Sequence, residues 1–436
     1  MRLTLLTVVS MFAFISCTPS EVANQCVTPT GTGTTHSATV SASETWTADT
    51  GPHVITADIK VAKGATLTVE PCAQVQMKAG THLSIEGNVV AEGTASRPIT
   101  LGAVSSDEAF GAINVWAPGT LSLAYVTVSY GGADTTNSYG AIEARGDQLL
   151  PVQGILKVDH VTVRGSQAYG ISLRSGAGFT ADSQALDITA SKLAGLRILP
   201  RLASNIPSGT YTGNGQDVIA VETEAYGDVS LEDVVFRARG VPYLVGVDKS
   251  LGTLVVGGGS SAVTLTVEAG VTMRFKKNQA AGILIERGST ASPSKGTLIA
   301  VGTAQAPIVF TSASATPMAG DWLGLSFGNK PSATNRLEHV EIRYAGAPSG
   351  SNGFHCQPPS KFSTSEDAAL SVYGEPAQSF VKNSLIADSA GEGINLAYSG
   401  NPVDFLATNT FTNIALCKVS VPRQANGSCP STVTCP

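Results

Sequence analysis

Repetition is the feature that most constrains this chain. One pattern sets an aliphatic residue, two variable positions, a small or aliphatic residue, one variable position and a further apolar residue. It recurs as Leu123/Val126/Val128, Val158/Val161/Val163, Leu231/Val234/Phe236, Leu337/Val340/Ile342 and Val381/Ser384/Ile386. A second, Gly or Ala followed by aliphatic-x-apolar, starts at Ala112, Ala141, Gly170, Gly195, Gly282, Gly324, Ala369 and Gly393, with its shorter steps 24 to 29 residues long. Alternating apolar positions bracketed by Gly, Asn, Asp or Ser read as short strands and turns. A single coil of such strands cannot bury its own apolar row, whereas a stack of coils buries each row against its neighbours. The longer steps require intervening coils or insertions.

A larger duplication lies over the coils. Thr66-Leu67-Thr68-Val69-Glu70 returns as Thr264-Leu265-Thr266-Val267-Glu268. Gly93-Thr94-Ala95 with Pro98-Ile99 returns as Gly302-Thr303-Ala304 with Pro307-Ile308. Tyr130-Gly131-Gly132 returns as Tyr344-Ala345-Gly346, and Gly170-Ile171-Ser172-Leu173 as Gly393-Ile394-Asn395-Leu396. The offset grows from 198 to 223 residues while the order holds. We read duplicated halves of about 51–222 and 260–416 within a body of 51–416, joined near 223–259. A Cys-containing tail follows at 417–436.

Composition narrows the class. Charged residues make up 14% of the chain, against roughly a quarter in ordinary soluble domains. Beyond the first residues no apolar run approaches the ~20 that span a bilayer, and 42% apolar residues argue against disorder. A net charge of −6 without a basic stripe gives nucleic-acid binding little support.

The N-terminus points to export. Met1-Arg2 is a minimal basic region and Leu3 to Ile15 a short apolar one, so residues 1–16 read as a signal peptide. Phe14-Ile15-Ser16-Cys17 resembles a bacterial lipobox, with Phe14 where that motif usually has Leu. The resemblance implies lipidation of Cys17 and a protein anchored to the cell envelope, at the outer membrane or cell surface. Residues 17–50, rich in Ser, Thr and Gly, read as a flexible tether. With Cys17 lipidated, Cys26, Cys72, Cys356, Cys417, Cys429 and Cys435 remain for three disulfides in an oxidising compartment. Joining each tail or inserted loop to a near neighbour gives Cys26–Cys72, Cys356–Cys417 and Cys429–Cys435 as the expected pairs.

The succession T-L-T-V-E, A-x-G-T-A-x-x-P-I, G-D-W-L-G-L-S-F and L-E-H-V-E-I-R-Y-A-G resembles right-handed parallel β-helix repeat proteins of the pectate-lyase-like kind. The resemblance covers about Val54 to Ala415 and implies a single-stranded right-handed parallel β-helix with a tandemly duplicated module. It is carried by coil-forming residues. The chain has no Gly-His-Gly, no adjacent Asp-Asp pair and no Arg-Ile-Lys triplet, which counts against polygalacturonase-type hydrolysis.

Candidate chemistry is sparse. Asp159-His160…Arg164 and Glu338-His339…Arg343 set an acid, a His and an Arg in proton-abstraction company. The same coil position elsewhere holds Tyr125, Asp233 and Asn383, which reads as a turn beside the strand. Gly213-Asn214-Gly215-Gln216-Asp217 suits a calcium turn in kind, yet occurs once and reads as a tight turn. Asp107, Glu108 and Asp321 read as solvated loop acids. Spacing implies no metal or cofactor. Trp116 and Trp322, with Tyr130 and Tyr344, sit at duplicated places, and outward aromatics would offer flat platforms for sugar rings. Two segments of about 133–151 and 347–367 follow Tyr-Gly-Gly and Tyr-Ala-Gly as corresponding insertions. Two functions stay open. One is a non-enzymatic envelope lipoprotein recognising a polysaccharide or another envelope protein through a lateral face around Trp322, Tyr344 and the Cys356 insertion. The other is a polysaccharide lyase or related glycan-cleaving enzyme.

Overall fold

A computed structural model describes Cys26 and residues 33–134, 139–147, 149–223, 229, 232–248, 250–259, 261–286, 295–328, 330–351, 354–358 and 366–435. Short parallel strands dominate, most of them paired in register with the strand one coil further along, with register shifts at three pairs. In Thr66–Val69 the side chains alternate, Leu67 and Val69 buried and the two threonines outward. The alternation is copied from coil to coil, so inward residues form rows. One row runs Ile59, Leu83, Ile113, Ile142, Ile171, Leu196, Ile219, Tyr243, Met273, Phe310, Ile342 and Ile386. Each aliphatic member contributes roughly 1.5–3 kcal/mol by leaving water, and the backbone ladder holds the members about 4.8 Å apart.

The corners explain the odd residue mixture at the turn position. Tyr125, His160, His339 and Asn383 all adopt left-handed backbone, with φ of 50°, 54°, 50° and 50°. This bend turns the chain from one strand into the next, and its side chains stack outside the coil. The Tyr125 and His160 rings lie parallel with centroids 4.6 Å apart. Asp233 departs from the set and accepts the Thr264 N–H at 2.7 Å. A second left-handed column holds Tyr130, Gly165 and Ala190, and in the other half Tyr344, Asp388 and Asn413. Asn413 Nδ2 donates to Asp388 Oδ1 at 2.9 Å. At Gly165 a Cβ would meet the Tyr130 ring at 2.7 Å, so glycine there both accepts the positive φ and leaves room for the aromatic.

The duplication survives in sequence order but is displaced in space. The strand Val126–Ser129, which leads into Tyr130, stacks on Ile99–Ala103 and on the second half of the bent strand Gln153–Arg164. Its counterpart Val340–Arg343 instead extends the thirteen-stranded sheet that starts with Ile59–Val61, His82–Ile85 and Ala112–Trp116. The counterpart of Tyr169–Arg174, namely Glu392–Leu396, belongs to a separate five-stranded sheet that begins with Thr253–Val256. The change occurs around the 3-10 turn Pro200–Asn205 and the stub strand Gly209–Thr210. Duplicated residues therefore project from different sheets.

Two boundaries differ from the sequence expectation. Residues 33–50, read as tether, form a first coil: Thr34–His36 pairs with His53–Ile55, and Glu44–Trp46 with Thr66–Val69. Trp46 supplies the inward apolar group that makes this coil worth ordering. The segment 133–151 is not wholly an insertion, because Gly140–Arg145 is a regular coil strand. The tail from 417 is also ordered: Val421–Pro422 lies antiparallel to His355–Cys356. That crossing brings Cys429 to Cys356 and leaves Cys417 for Cys435, so disulfides join Cys26–Cys72, Cys356–Cys429 and Cys417–Cys435. The two C-terminal pairs thus exchange partners relative to the expectation. The signal segment, Cys17 and residues 18–25 and 27–32 of the tether lie outside the described residues.

Aromatic rings close the N-terminal end of the stack. Trp46 lies against His36 (4.0 Å) and His53 (5.1 Å), and its Nε1 donates to Glu44 Oε1 at 2.8 Å. The two imidazoles share a hydrogen bond of 3.0 Å. Burial lowers both pKa values below the ordinary histidine value, and for His36 the charge of His53 lowers it further. A depressed histidine pKa means stability that is full above ~6.5 and is lost as pH falls through the folded value. We expect thermal stability to fall on acidification below about pH 6.5, and His36→Gln/His53→Gln protein to lose that dependence. Melting curves across the acid range check this.

Candidate functional site

The predicted aromatics part company. Trp322 is fully buried, stacked on Phe275 at 4.3 Å, and its Nε1 donates to the Arg343 carbonyl at 2.8 Å. The reason is local: Gly324, at φ 112°, breaks the alternation of Trp322–Phe327, so Trp322, Leu325 and Phe327 all point inward. Trp322 therefore cannot belong to a recognition surface. Tyr130 and Tyr344 are half-buried corner residues on different sheets. Only Trp116 of the four is well exposed, at 41%.

Trp116 does not stand alone. Strand register sets it beside Arg145, and Arg145 beside Arg174, as an outward row over three successive coils. The Arg145 guanidinium lies 4.8 Å from the Trp116 ring, and Arg174 lies 4.9 Å from Tyr139. Beneath them Glu143, its side chain fully buried, accepts the Tyr139 N–H at 2.6 Å and pairs with Arg145. Arg174 Nη1 is 3.8 Å from the same carboxylate. Further along, buried Arg197 pairs with Glu222, donates to Asp248 at 2.8 Å, and lies 4.7 Å from Tyr139. Burial, then Asp248, raises the Tyr169 phenol above its ordinary value. The row thus presents one flat apolar ring and two partly exposed guanidiniums. Such a surface can stack a ring and donate hydrogen bonds. Glu143 lies under it rather than facing a substrate.

The residues considered for catalysis do not converge. His160 is half-exposed, with Nδ1 2.7 Å from Asp159 and its ring on Tyr125. His339 occupies the equivalent corner of the second half, on a different sheet, and Arg343 bonds Glu341. Asn214 ties its turn together: Oδ1 accepts Ser191 N–H, and Nδ2 donates to the Ile188 and Tyr211 carbonyls. Asp107 and Glu108 are exposed, but Asp321 is buried, contrary to expectation. Burial opposes its ionisation, yet Lys277 at 2.9 Å and hydrogen bonds from Ser312 and Met318 hold its pKa below the usual carboxylate value. No group of three or more His, Cys, Asp or Glu able to hold a metal occurs among the described residues.

The Cys356 insertion is a strap over the five-stranded sheet. Sequence reasoning missed its main fastening. His355, with its side chain 1% exposed, lies between Glu366 (Nδ1 to Oε1, 3.1 Å) and Glu392 (Nε2 to Oε1, 3.1 Å). Glu366 sits at the end of the strap and Glu392 on a strand of the sheet below. Nothing periodic marks these positions, and only the fold brings them together. Between strap and sheet opens a cleft of about 300 Å³.

Two outcomes follow for these groups. Trp322→Ala should lower stability by about 3–5 kcal/mol, readable as a depressed melting temperature with the β-type circular dichroism retained. For His355, burial alone would lower the pKa, but contact with Glu366 and Glu392 outweighs it and pushes it up to about 9. A raised histidine pKa stabilises fully below ~6.5 and ceases to do so as pH rises through the folded value. We expect the strap to loosen towards about pH 9, seen as faster amide exchange at 366–372 in wild type, with His355→Gln protein showing fast exchange already at neutral pH.

A family profile described as a pectate-lyase like beta helix domain matches residues 249–352. No curated protein and no solved structure matches the chain significantly. The match covers the first coils of the second half, including the long sheet's strands Thr272–Phe275, Ile308–Ser312 and Val340–Arg343. With parallel strands stacked coil on coil from Thr34 to Ile414, the chain is a parallel β-helix protein, and its residues 249–352 are similar to the pectate-lyase-like β-helix domain.

Proposed function

We propose that this protein is a non-enzymatic, lipid-anchored envelope protein whose lateral face recognises a glycan. The outward row Trp116–Arg145–Arg174, its indole exposed and its guanidiniums partly so, carries the reading. Aromatic and arginine side chains concentrate binding energy when a ligand covers them, and a row repeating at coil spacing suits a chain-like ligand. Both arginines share one acid, Glu143, buried beneath the row, which argues for positioning of guanidiniums rather than for an acid–base pair facing substrate. Fold likeness to pectate lyases does not itself confer cleavage. The lipobox-like Phe14-Ile15-Ser16-Cys17 supports the anchor, and three disulfides suit an oxidising compartment.

A panel of immobilised acidic and neutral polysaccharides tests the reading. Trp116→Ala should weaken retention about tenfold or more, a difference of ~1.4 kcal/mol or above, with unchanged melting. Unsaturated product released from any polysaccharide, and abolished by Arg145→Gln or Arg174→Gln, would make the protein a lyase instead. Mass spectrometry of the membrane fraction decides the anchor, because an unmodified mature N-terminus would remove it.

A further inference from the structure

The cleft under the strap lies on another sheet from Trp116 and has a different chemistry. Its floor follows the outward register row Leu284, Ser326, Ser371 of three neighbouring strands, with Leu323 beside it. Its roof carries Ser349 and Ser351, and Tyr373 closes one side. Burial raises the Tyr373 phenol above its ordinary pKa while Ser351 and Ser371 hydrogen-bond it, so it is a neutral hydroxyl at any physiological pH. No Lys, Arg or His lines the cleft among the described residues, and Glu286, which also lines it, turns its carboxylate Oε2 to the Lys295 and Gly296 N–H groups.

The roof is built in place before any ligand arrives. Ser349 N–H donates to Asp367 Oδ1 at 2.7 Å, and Glu366 N–H to the Ser351 carbonyl at 2.9 Å. The strap is then held by His355 between two glutamates and by Cys356–Cys429. A preformed site gives up less ordering entropy on binding than one that must close.

We propose that this cleft binds a single neutral sugar ring. Leucine side chains on the floor meet the apolar face of the ring, while serine and tyrosine hydroxyls, each donor and acceptor, meet its hydroxyl rim. With no cation among the described lining residues to offset an anion's charge, the cleft favours a neutral ring over a uronate or phosphate; the hydroxyls disfavour a purely apolar occupant. At about 300 Å³ the volume suits a ring and not a chain. The site is independent of the Trp116 row.

Ligand-observed NMR and calorimetry on the folded protein would test it, using methyl glycosides of glucose, galactose, mannose and N-acetylglucosamine, with methyl galacturonate as the anionic probe. At least one neutral glycoside should bind saturably and methyl galacturonate should not compete with it. Ser326→Phe fills the floor and should cut that affinity about tenfold or more. Tyr373→Phe keeps the ring, loses the hydroxyl and should weaken binding several-fold even if the first variant fails to fold. Trp116→Ala should leave it unchanged, which separates this cleft from the polysaccharide face. Absence of saturable binding by all four neutral glycosides overturns the proposal. Equal binding of the galacturonate does so too, as does unaltered affinity in folded Ser326→Phe or Tyr373→Phe protein.

Discussion

Register between coils is the constraint on which everything else depends. Each backbone strand can satisfy its N–H and C=O groups only by pairing with the coil above and the coil below. Once paired in parallel, identical positions stack directly, so a residue's chemistry is repeated or contradicted every coil. Apolar rows satisfy this inside the helix, and left-handed corners satisfy it at the bends. The same rule makes the outside a printed surface, where Trp116, Arg145 and Arg174 become neighbours because their strands do.

Departures from the rule mark where the chain does something other than stack. Gly324 turns Trp322 inward and removes a surface aromatic. The 3-10 turn at Pro200–Asn205 ends one face and lets another start, so the second half is set on the first with two of its strand types displaced. Described parts of the strap, 347–351 and 354–358, lie off the coil ladder and are fastened from outside. A disulfide, an antiparallel pair and a buried histidine between two carboxylates do this. Leaving one buried charge without its partner is costly, so these fastenings act as a set.

The two lateral surfaces differ in electrostatic character. On the first half, two guanidiniums are propped outward by the one buried acid below them, Glu143, next to an exposed indole. On the second half, hydroxyls line a roofed cleft over leucines. Because the duplication is displaced between sheets, the halves do not repeat one binding face, and each has acquired its own surface chemistry.

Much of the fold was legible in the chain. Strand alternation, the Tyr125/His160/His339/Asn383 corner position and the second module follow from local pattern, because period and turn chemistry act over a few residues. The parallel helix follows from the repeat, since no single coil buries its own row. Other features are set over longer distances. Whether Trp322 faces in or out depended on a positive-φ glycine two residues away, and the first coil at 33–50 depended on Trp46 finding a partner row. The C-terminal disulfides were decided by a tail crossing the strap, which chain proximity misjudges. Likewise His355, Glu366 and Glu392 meet only because strap and strand are brought together. The sequence by itself determined the period, and hence the rod; tertiary structure alone decided which residues share a face, because that is a property of register between distant coils and not of any one of them.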